Sequence, residues 1–379
     1  MFKLAEDQCA KVRVIGVGGA GGNMIDALAG SSEISGIELI SANTDKAALD
    51  SGKIANRIQM GTELTRGRGA GADPEIGRRA TQETRETIKE ALAGAELVCI
   101  LAGLGGGTGT GGAPIVADVA RELGAFSLGI VTLPFEQEGE SRKRQAEKGL
   151  LELRAAADTV VVIHNQWLVA LENSDKLKLL EAFGIINREI TMMVRGLADL
   201  INLPGQVNVD FADLRRIMSK KRVAMIRSGV GRGEKRIEKA LEKALHSELF
   251  PAQPLDGACG VLLNIASDSS LELGEIQRAL SFIRARAQQD AQIIFGTVTD
   301  TTLGDSLRII IVIAADFESK AKTGWRATTK PHHPPVEDLN IPTVERRGTQ
   351  PRTIKLGLID DGECVPYDND PKTGGPGQN

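Results

Sequence analysis

Short apolar runs alternate with stretches of helical periodicity along most of the chain. The runs typical of buried strands are 11–15, 37–42, 97–102, 127–133, 159–163, 260–266, 291–299 and 306–315. The stretches with helical periodicity are 24–29, 75–92, 115–123, 179–201, 233–247 and 272–288. Strands that alternate with helices predict an α/β fold with a parallel sheet. The long stretch 179–201 predicts a helix that connects two α/β units.

A glycine-rich stretch, GLGGGTGTGG at 103–112, stands between the apolar run 97–102 and the helical stretch 115–123. Glycines allow the backbone to approach a ligand closely and to turn its N–H groups inward, and a helix start adds positive partial charge. Thr108 and Thr110 add hydroxyl donors. The stretch therefore predicts a phosphate-binding loop, although not a Walker A loop, because no Gly-Lys-Ser/Thr closes it.

Another glycine loop, GVGGAGGN at 16–23, follows the first predicted strand and satisfies the GxGxxG pattern with Gly16, Gly18 and Gly21. Alone, this loop is typical of an NAD-dependent dehydrogenase, in which Asp45 at the end of the second strand would contact the ribose. A dehydrogenase needs one pyrophosphate loop, whereas a triphosphate gripped from several sides uses more. Two loops therefore favour a mononucleotide triphosphate, and the dehydrogenase remains an alternative.

The GGGTGTGG motif after an apolar strand resembles the signature of the tubulin/FtsZ superfamily of GTPases. Residues 11–317 resemble FtsZ more closely than tubulin, and NVDFAD at 208–213 matches the FtsZ loop that enters the nucleotide pocket of the next subunit. The resemblance implies a Rossmann-like GTPase domain, a long connecting helix, a smaller second α/β domain and a disordered C-terminal tail. It also implies GTP or GDP as the ligand, with Mg²⁺ held mainly by the nucleotide phosphates and no metal site built by the protein.

The glycine loops supply most of the predicted nucleotide contacts. A third glycine loop, at 67–74, has by resemblance its Gly-Ala-Gly segment beside the terminal phosphate, with a plain surface turn as the alternative. A loop this rich in glycine can adopt two packings, so it could sense that phosphate. The contacts expected from the three loops and from the end of the second strand are Gly18, Gly19, Ala20, Gly21, Gly22, Asn23, Asn43, Asp45, Gly69, Ala70, Gly71, Gly105, Gly106, Gly107, Thr108, Gly109, Thr110 and Gly111.

The resemblance assigns the ribose and the base to four further positions. Glu138 and Arg142 match FtsZ residues on the ribose side, with an exposed ion pair at a helix start as the alternative. Phe183 offers a ring face on which the base can stack, with a core residue as the alternative. Asn187 or Asn23 can accept a hydrogen bond from guanine. Because asparagine also donates, these residue types alone separate guanine from adenine poorly.

Within residues 11–317, three stretches depart from the FtsZ pattern. FtsZ usually has Pro-Asn-Asp-Lys where residues 164–167 are His-Asn-Gln-Trp, so Asn165 is kept as a nucleotide contact without its charged neighbours. Arg188 and Glu189 stand where Asp-Val is usual. The stretch 214–227 is unusually basic, which favours a solvated helix face, with an altered subunit contact or an acidic partner as the alternative.

Asn208, Asp210 and Asp213 are the predicted catalytic residues. By resemblance, the carboxylates polarise the water that attacks the terminal phosphate, and a carboxylate is chemically able to orient a water. The alternative is that Asp210 or Asp213 only caps the next helix. Because the long helix spans about 30 Å, one subunit cannot easily bring these acids to its own phosphate. The expected active site is therefore completed by the adjacent subunit of a head-to-tail filament.

Composition narrows the partners and the compartment. A net charge of −4 and an aromatic content of 3% argue against a general nucleic-acid binder. Four cysteines without metal or redox spacing suit a reducing cytoplasm. Neither a signal peptide nor an apolar run of membrane length is found, so we expect no direct membrane insertion.

The predicted organisation has five parts: an N-terminal extension 1–10, a GTP-binding domain 11–178, the connecting helix 179–202, the catalytic loop with the second α/β domain 203–317, and a disordered tail 318–379. In that tail, 338–347 resembles the FtsZ peptide that recruits division or anchoring proteins, except that Glu345 replaces an apolar residue. The predicted protein is a GTP-hydrolysing filament former of the cell-division type, located in the cytoplasm at the division site. A specialised FtsZ-like paralogue with a regulatory or organelle-associated role is the alternative.

Overall fold

A single ten-stranded sheet organises the residues described by the computed structural model, which are 10–30, 36–171, 174–202, 206–207, 209–218, 222–245, 255 and 258–315. The strands are β1 (Val12–Val17), β2 (Ile37–Asn43), β3 (Arg57–Gln59), β4 (Leu97–Gly103), β5 (Phe126–Leu133), β6 (Thr159–His164), β7 (Arg222–Arg232), β8 (Gly260–Ser267), β9 (Gln292–Thr299) and β10 (Ser306–Ala315). The helices are α1 (Gly18–Ala29), α2 (Lys46–Ser51), α3 (Thr62–Thr65), α4 (Pro74–Glu83), α5 (Arg85–Leu92), α6 (Thr108–Glu122), α7 (Glu140–Ala156), α8 (Leu179–Asn202), α9 (Phe211–Met218), α10 (Arg236–Leu245) and α11 (Leu273–Arg284). The predicted catalytic Asn208 and the predicted tail 318–379 lie outside the described residues.

The first half of the sheet is parallel. Its strands lie in the order β3-β2-β1-β4-β5-β6. They are near-continuous apolar runs because helices cover both faces of the sheet. One apolar cluster joins the sheet to α1 and α8, and another joins it to α5, α6 and α7. The predicted α/β fold with a parallel sheet is confirmed.

The second half continues the sheet as β7-β10-β8-β9. β7 joins β6 by a short parallel pairing in which Thr159 faces Arg222 and Val160 faces Val223. β10 runs antiparallel to both β7 and β8, while β9 runs parallel to β8 at the edge. Helices α10 and α11 cover this half around a third apolar cluster. This is the smaller second α/β unit that the sequence predicts.

Helix α8 runs along the parallel sheet from the carboxyl ends of its strands to their amino ends. Near its start, the ring of Phe183 lies 6.1 Å from the ring of Phe135, which follows the carboxyl end of β5. At its end, Asn202 lies beside Gly36, which precedes β2: a Cβ added to Gly36 would lie 2.7 Å from Asn202 Nδ2. A helix of 24 residues spans about 36 Å. The start of α8 therefore lies at the carboxyl ends of the parallel strands, and its end lies at their amino ends.

Two elements differ from their predicted form. The predicted helix 75–92 is divided at Thr84, whose backbone leaves the helical region and whose Oγ1 accepts from Gly61 N at 2.9 Å. The basic stretch that favoured a helix face is helical only to Met218, and its remainder forms β7 from Arg222. Among the described helices, none is both long and apolar enough to cross a bilayer.

Candidate functional site

A pocket of about 360 Å³ opens at the carboxyl ends of β1, β4, β5 and β6. The strand order reverses between β1 and β4, and open α/β sheets bind ligands at this kind of topological switch point. Helices α1 and α6 both begin in the pocket wall, at Gly18 and Thr108. The amino ends of helices carry unpaired N–H groups and positive partial charge, so the pocket favours an anion.

The loop between β1 and α1 turns through Gly18, whose φ of +76° is a conformation that favours glycine. A Cβ at Gly18 would lie 3.0 Å from Gly109 N, so the two glycine loops approach backbone to backbone. Gly19 and Ala20 line the pocket, and a Cβ at Gly19 would meet no atom within 4 Å. This wall therefore leaves open space where a bulky ligand group can lie against the main chain.

Two predicted glycines of α1 have different surroundings. Gly21 is buried, and an added Cβ would overlap the carbonyl oxygen of Leu101 on β4. Gly22 is half-buried and has no atom nearer to an added Cβ than Ser41 Oγ at 3.7 Å. Neither residue lines the pocket. At Gly21 the absence of a side chain serves the packing of the helix on the sheet.

The loop between β4 and α6 forms the opposite wall. Gly106, Gly107, Thr108 and Gly109 line the pocket, and the helix begins within the glycine motif rather than after it. The other predicted members of the motif lie behind this wall. Gly105 N donates to the buried Oγ1 of Thr110 at 2.8 Å, while Gly111 lies at the crossing with α4, against Pro74. The motif thus combines pocket glycines with packing glycines.

The third predicted loop closes behind the second. Positive φ values occur at Arg66, Gly67, Gly69, Gly71 and Ala72. The loop is tied to the end of β2, because its backbone N–H at position 69 donates to the carbonyl oxygen of residue 44 at 3.2 Å. A Cβ at Gly107 would lie 2.8 Å from the Ala70 Cβ, so the two loops are in close contact. The third loop itself does not line the pocket.

At the end of β2, the predicted residues Asn43 and Asp45 bond to their own turn. Asn43 Oδ1 accepts from Asp45 N at 3.2 Å, and Asp45 Oδ1 accepts from Ala48 N at 3.1 Å as the cap of α2. Neither lines the pocket. Between them, the buried Thr44 places its Oγ1 2.6 Å from Oγ1 of Thr108. The end of β2 therefore supports the phosphate-side wall from outside.

Glu138 and Arg142 lie at the mouth of the pocket and form an ion pair of 2.9 Å, one helical turn apart. Glu138 also accepts from Phe135 N at 2.8 Å. The Arg142 side chain is about half exposed, so the pair itself contributes little stability. Both the pocket position and the exposed ion pair expected from the sequence are therefore present together.

The far end of the pocket is lined by Asn23, Phe183, Asn187 and Asn165. Phe183 is 36% exposed, so one ring face is available to a planar ligand group. Asn165 is buried, and its Oδ1 has no hydrogen-bond partner within the described part of the chain. A buried acceptor without a partner fits a pocket in which a ligand donates the missing hydrogen bond.

His164, next to Asn165, is not a wall residue. Burial, together with the nearby charge of Arg154, lowers its pKa to about 4, so the ring is neutral near pH 7. The ring lies 4.8 Å from that of Trp167. His164 thus has the packing environment of the strand-end residue expected from the sequence.

The predicted acids Asp210 and Asp213 lie at the amino ends of the parallel strands, away from the pocket at the carboxyl ends. Asp210 Oδ1 accepts from Asp213 N at 2.7 Å, so Asp210 caps α9. That helix packs where parallel strands begin: Phe211 meets Phe126, the first residue of β5, at 6.3 Å between ring centroids, and Arg215 donates to Gly124 O at 2.9 Å. The capping alternative is therefore realised at Asp210, and neither acid lines the pocket of its own chain.

Several wall residues were not expected from the sequence. They share a position at a strand end or next to a predicted contact, and they are Val17, Met24, Thr132, Pro134 and Ile186. Gly103 and Leu104, which begin the predicted phosphate-binding stretch, also line the pocket. Strand-end position was the available signal for Thr132, and one-turn spacing from Phe183 was the signal for Ile186. Among the described residues, no group of three or more His, Cys, Asp or Glu side chains is placed to hold a metal ion.

Two family models match the chain. The Tubulin/FtsZ family GTPase domain matches residues 11–173, and the FtsZ family C-terminal domain matches residues 222–318. The FtsZ dimer of M. jannaschii is 38% identical over 82% of this chain and 89% of its own, with a TM-score of 0.73. GDP-bound CetZ1 from Haloferax volcanii is 24% identical over 80% of this chain and 93% of its own, with a TM-score of 0.69, and shares the fold.

These matches decide between the two nucleotide-binding alternatives left open by the glycine loops. A guanine nucleotide is the ligand of the matched GTPase domain, and the dehydrogenase alternative is wrong. The walls described above fit such a ligand, with helix starts at one end and a ring face with an unsatisfied acceptor at the other. The chain belongs to the FtsZ family of tubulin-like GTPases.

Proposed function

We propose that the protein assembles head-to-tail into filaments and hydrolyses GTP at sites completed by the adjacent subunit, as a cytoskeletal protein of the cell-division type. The observation that carries this proposal is the separation of the pocket from the acids. The pocket opens where the parallel strands end, whereas α9, with Asp210 and Asp213, packs where they begin. One copy therefore holds both parts of an active site, at opposite ends of the molecule.

The separation is too large for one chain to close. From Phe126 to Leu133, β5 alone extends about 23 Å, at about 3.3 Å per residue. Helix α8, which spans about 36 Å, runs between the pocket and the segment before α9. A second copy stacked in the same orientation would bring its acids to the first copy's pocket. Such a contact joins two different surfaces and repeats without closing, so it generates a filament.

Within the pocket, backbone N–H groups at the starts of α1 and α6 would bind the phosphates, and Phe183 would contact the base. Asn23, Asn165 and Asn187 are the proposed hydrogen-bonding partners of guanine or ribose. Mg²⁺, held mainly by the phosphate oxygens, would neutralise charge on them. Glu138 and Arg142, at the mouth of the pocket, are the proposed contacts on the ribose side. The remaining assigned residues either lie behind these walls or support them.

Hydrolysis needs a positioned water. Asp210 and Asp213 of the neighbouring subunit would accept hydrogen bonds from that water and orient it toward the γ-phosphorus. Attack forms the new P–O bond while the bond to the β-phosphate oxygen breaks, which leaves GDP and inorganic phosphate. Asn208, the first residue of the NVDFAD motif at 208–213, is proposed to help hold this motif at the interface between subunits.

The decisive experiment measures pelleting and phosphate release on the same samples over a range of protein concentrations. We expect turnover per subunit to be negligible below the assembly threshold and to rise steeply above it. Asp213→Ala should bind GTP with unchanged affinity but hydrolyse it slowly, and should lower the turnover of wild-type protein mixed with it. Constant turnover per subunit on dilution would show that hydrolysis occurs within one chain.

A role in cell division is the cellular part of the proposal, with a specialised paralogue as its alternative. The basic stretch 214–227, which together with the unusual tail suggests the paralogue, makes internal contacts in its described part: Arg215 donates to Gly124 O and Arg227 is buried. Just beyond the stretch, Arg232 pairs with Asp305 at 2.9 Å. Arg215, Arg227 and Arg232 therefore have places within the chain's own structure, which supports the division role over an acidic partner at these three positions. Depletion in cells tests it: blocked division supports the role, and normal division contradicts it.

A further inference from the structure

The edge strand β9 is bonded to the segment that carries the predicted acids. Thr297 N donates to Val207 O at 2.9 Å, and Val207 N donates to Thr297 Oγ1 at 3.0 Å. Thr297 is buried, with 6% of its surface exposed, whereas Val207 is exposed, so these bonds lie at the boundary between the sheet and the solvent. One residue of β9 therefore fixes both main-chain polar groups of Val207.

The neighbouring residue of β9 holds the same segment by shape. A Cβ added to Gly296 would lie 2.5 Å from Val209 Cγ2 and 3.2 Å from Val207 O. The φ of Gly296 is not positive, so the requirement for glycine here is close approach rather than backbone conformation. Val209 is buried against this surface. Two consecutive residues of β9 thus hold the chain immediately before Asp210.

The segment is anchored independently on its other side. Phe211 packs edge-on against Phe126, and Arg215 Nη2 donates to Gly124 O, both on the parallel half of the sheet. Asp210 lies between the anchor on β9 and Phe211, and Asp213 lies between Phe211 and Arg215. Their direction therefore depends on β9 upstream and on the nucleotide-binding half downstream.

We infer that Thr297 is a positioning residue for GTP hydrolysis in the neighbouring subunit, acting through Val207 on the direction of Asp210 and Asp213. The inference rests on the proposed function, in which these acids orient the attacking water. Small misplacements of such groups have large effects, because a shift of about 1 Å costs as much as about 100-fold in rate. Thr297 would not touch the nucleotide, so its effect belongs to turnover rather than to binding.

Thr297→Val tests this role because valine keeps the shape and the main-chain N–H but removes the Oγ1 acceptor. We expect kcat for GTP hydrolysis to fall about 10-fold or more, with the KM for GTP, the GTP affinity, the pelleting threshold and the Tm close to wild type. Thr297→Ser, which restores the hydroxyl, should recover most of kcat. Thr299→Val is the matched control, since Thr299 is an exposed threonine on the same face of β9, and should keep the wild-type rate.

A double variant separates positioning from general damage. If Thr297 acts through the acids, adding Thr297→Val to Asp213→Ala should lower kcat little further. Losses that multiply in the double variant, or a wild-type kcat for Thr297→Val in pelleted filaments, would overturn the positioning role while wild-type turnover still rises with concentration. Wild-type turnover that stays constant on dilution would instead overturn the proposed function, and the positioning role with it.

Discussion

The Oδ1 atom of Asn165 is a buried acceptor without a partner among the described residues, and such a group costs about 1–3 kcal/mol. We therefore expect Asn165→Leu, which has a similar volume, to raise the Tm of the nucleotide-free protein. The same change should weaken GTP binding by about 1 kcal/mol or more, because the ligand loses an acceptor. Thermal unfolding with and without GTP measures both effects. A lower Tm in nucleotide-free protein would show that the oxygen is satisfied within the chain.

His164 should make stability depend on pH. Burial lowers its pKa from 6.5 to about 4, so the unfolded chain binds a proton that the folded chain does not between these values. Above about pH 6.5 His164 is neutral in both states and does not lower the free energy of unfolding. As the pH falls toward 4, we expect the free energy of unfolding to drop by up to about 3 kcal/mol. Urea unfolding at several pH values measures the loss. His164→Gln, which does not titrate, should flatten the profile between these values, and an unchanged slope would assign the loss to other groups.

For single residues, the sequence predicts that the glycine motif binds a ligand, but it does not predict which of its residues line the pocket. Gly106, Gly107 and Thr108 were expected in the pocket and line it, because a glycine motif at a helix start is local in the chain. Thr110 and Gly111 belong to the same motif but face inward. A motif cannot separate glycines that admit a ligand from glycines that admit a helix, because that depends on which element packs against them.

Among the elements, the crossing of α4 with α6 depends on glycine. A Cβ at Gly111 would overlap the carbonyl oxygen of Pro74 and would lie 2.5 Å from Arg78 N. We expect Gly111→Ala to lower the free energy of unfolding by about 1–3 kcal/mol, because the helices must separate. Chemical denaturation measures it. As the control, Gly274→Ala on α11, where the nearest atom is the flexible Arg278 side chain at 3.4 Å, should leave stability unchanged or raise it. Equal effects of the two changes would refute the account.

Strand β7 is not predicted from the pattern of apolar and charged residues. Its sequence carries arginines and glycines where a strand usually has apolar residues, and the charge pattern favoured a helix face. The structure explains both residue types. Arg227 is buried, and a Cβ at Gly229 or Gly231 would overlap the backbone of α10. The glycines are explained by the close packing of α10, the next helix along the chain, and a charge pattern does not show how closely that helix approaches the strand.

For the whole molecule, the described core is complete by Ala315, where β10 ends. We therefore expect a truncation after Phe317 to assemble with GTP at the same threshold as the full chain. Sedimentation of both proteins at matched concentrations tests this. The predicted partner peptide 338–347 lies outside the described residues, so loss of division-protein binding with intact pelleting would support its separate role. Loss of pelleting would show that the tail belongs to the filament.

The sequence predicts two α/β units but not their continuity as one sheet. That continuity depends on the short pairing of β6 with β7, at Thr159 with Arg222 and Val160 with Val223. Two residue pairs leave no periodic trace in either strand. The joint forms because α8 and the surrounding apolar cluster bring the two strands together, which is a property of the packed molecule.

In the proposed filament, the opposite placement of the pocket and α9 would also make the two ends chemically different. At one end the last subunit shows a pocket that no neighbour completes, and at the other end the last subunit shows acids that act on nothing. The first of these subunits would keep its GTP however long the filament became. Each filament would therefore carry an unhydrolysed GTP at one end. Cutting a filament would expose a further incomplete pocket at every break, in which GTP would not be hydrolysed.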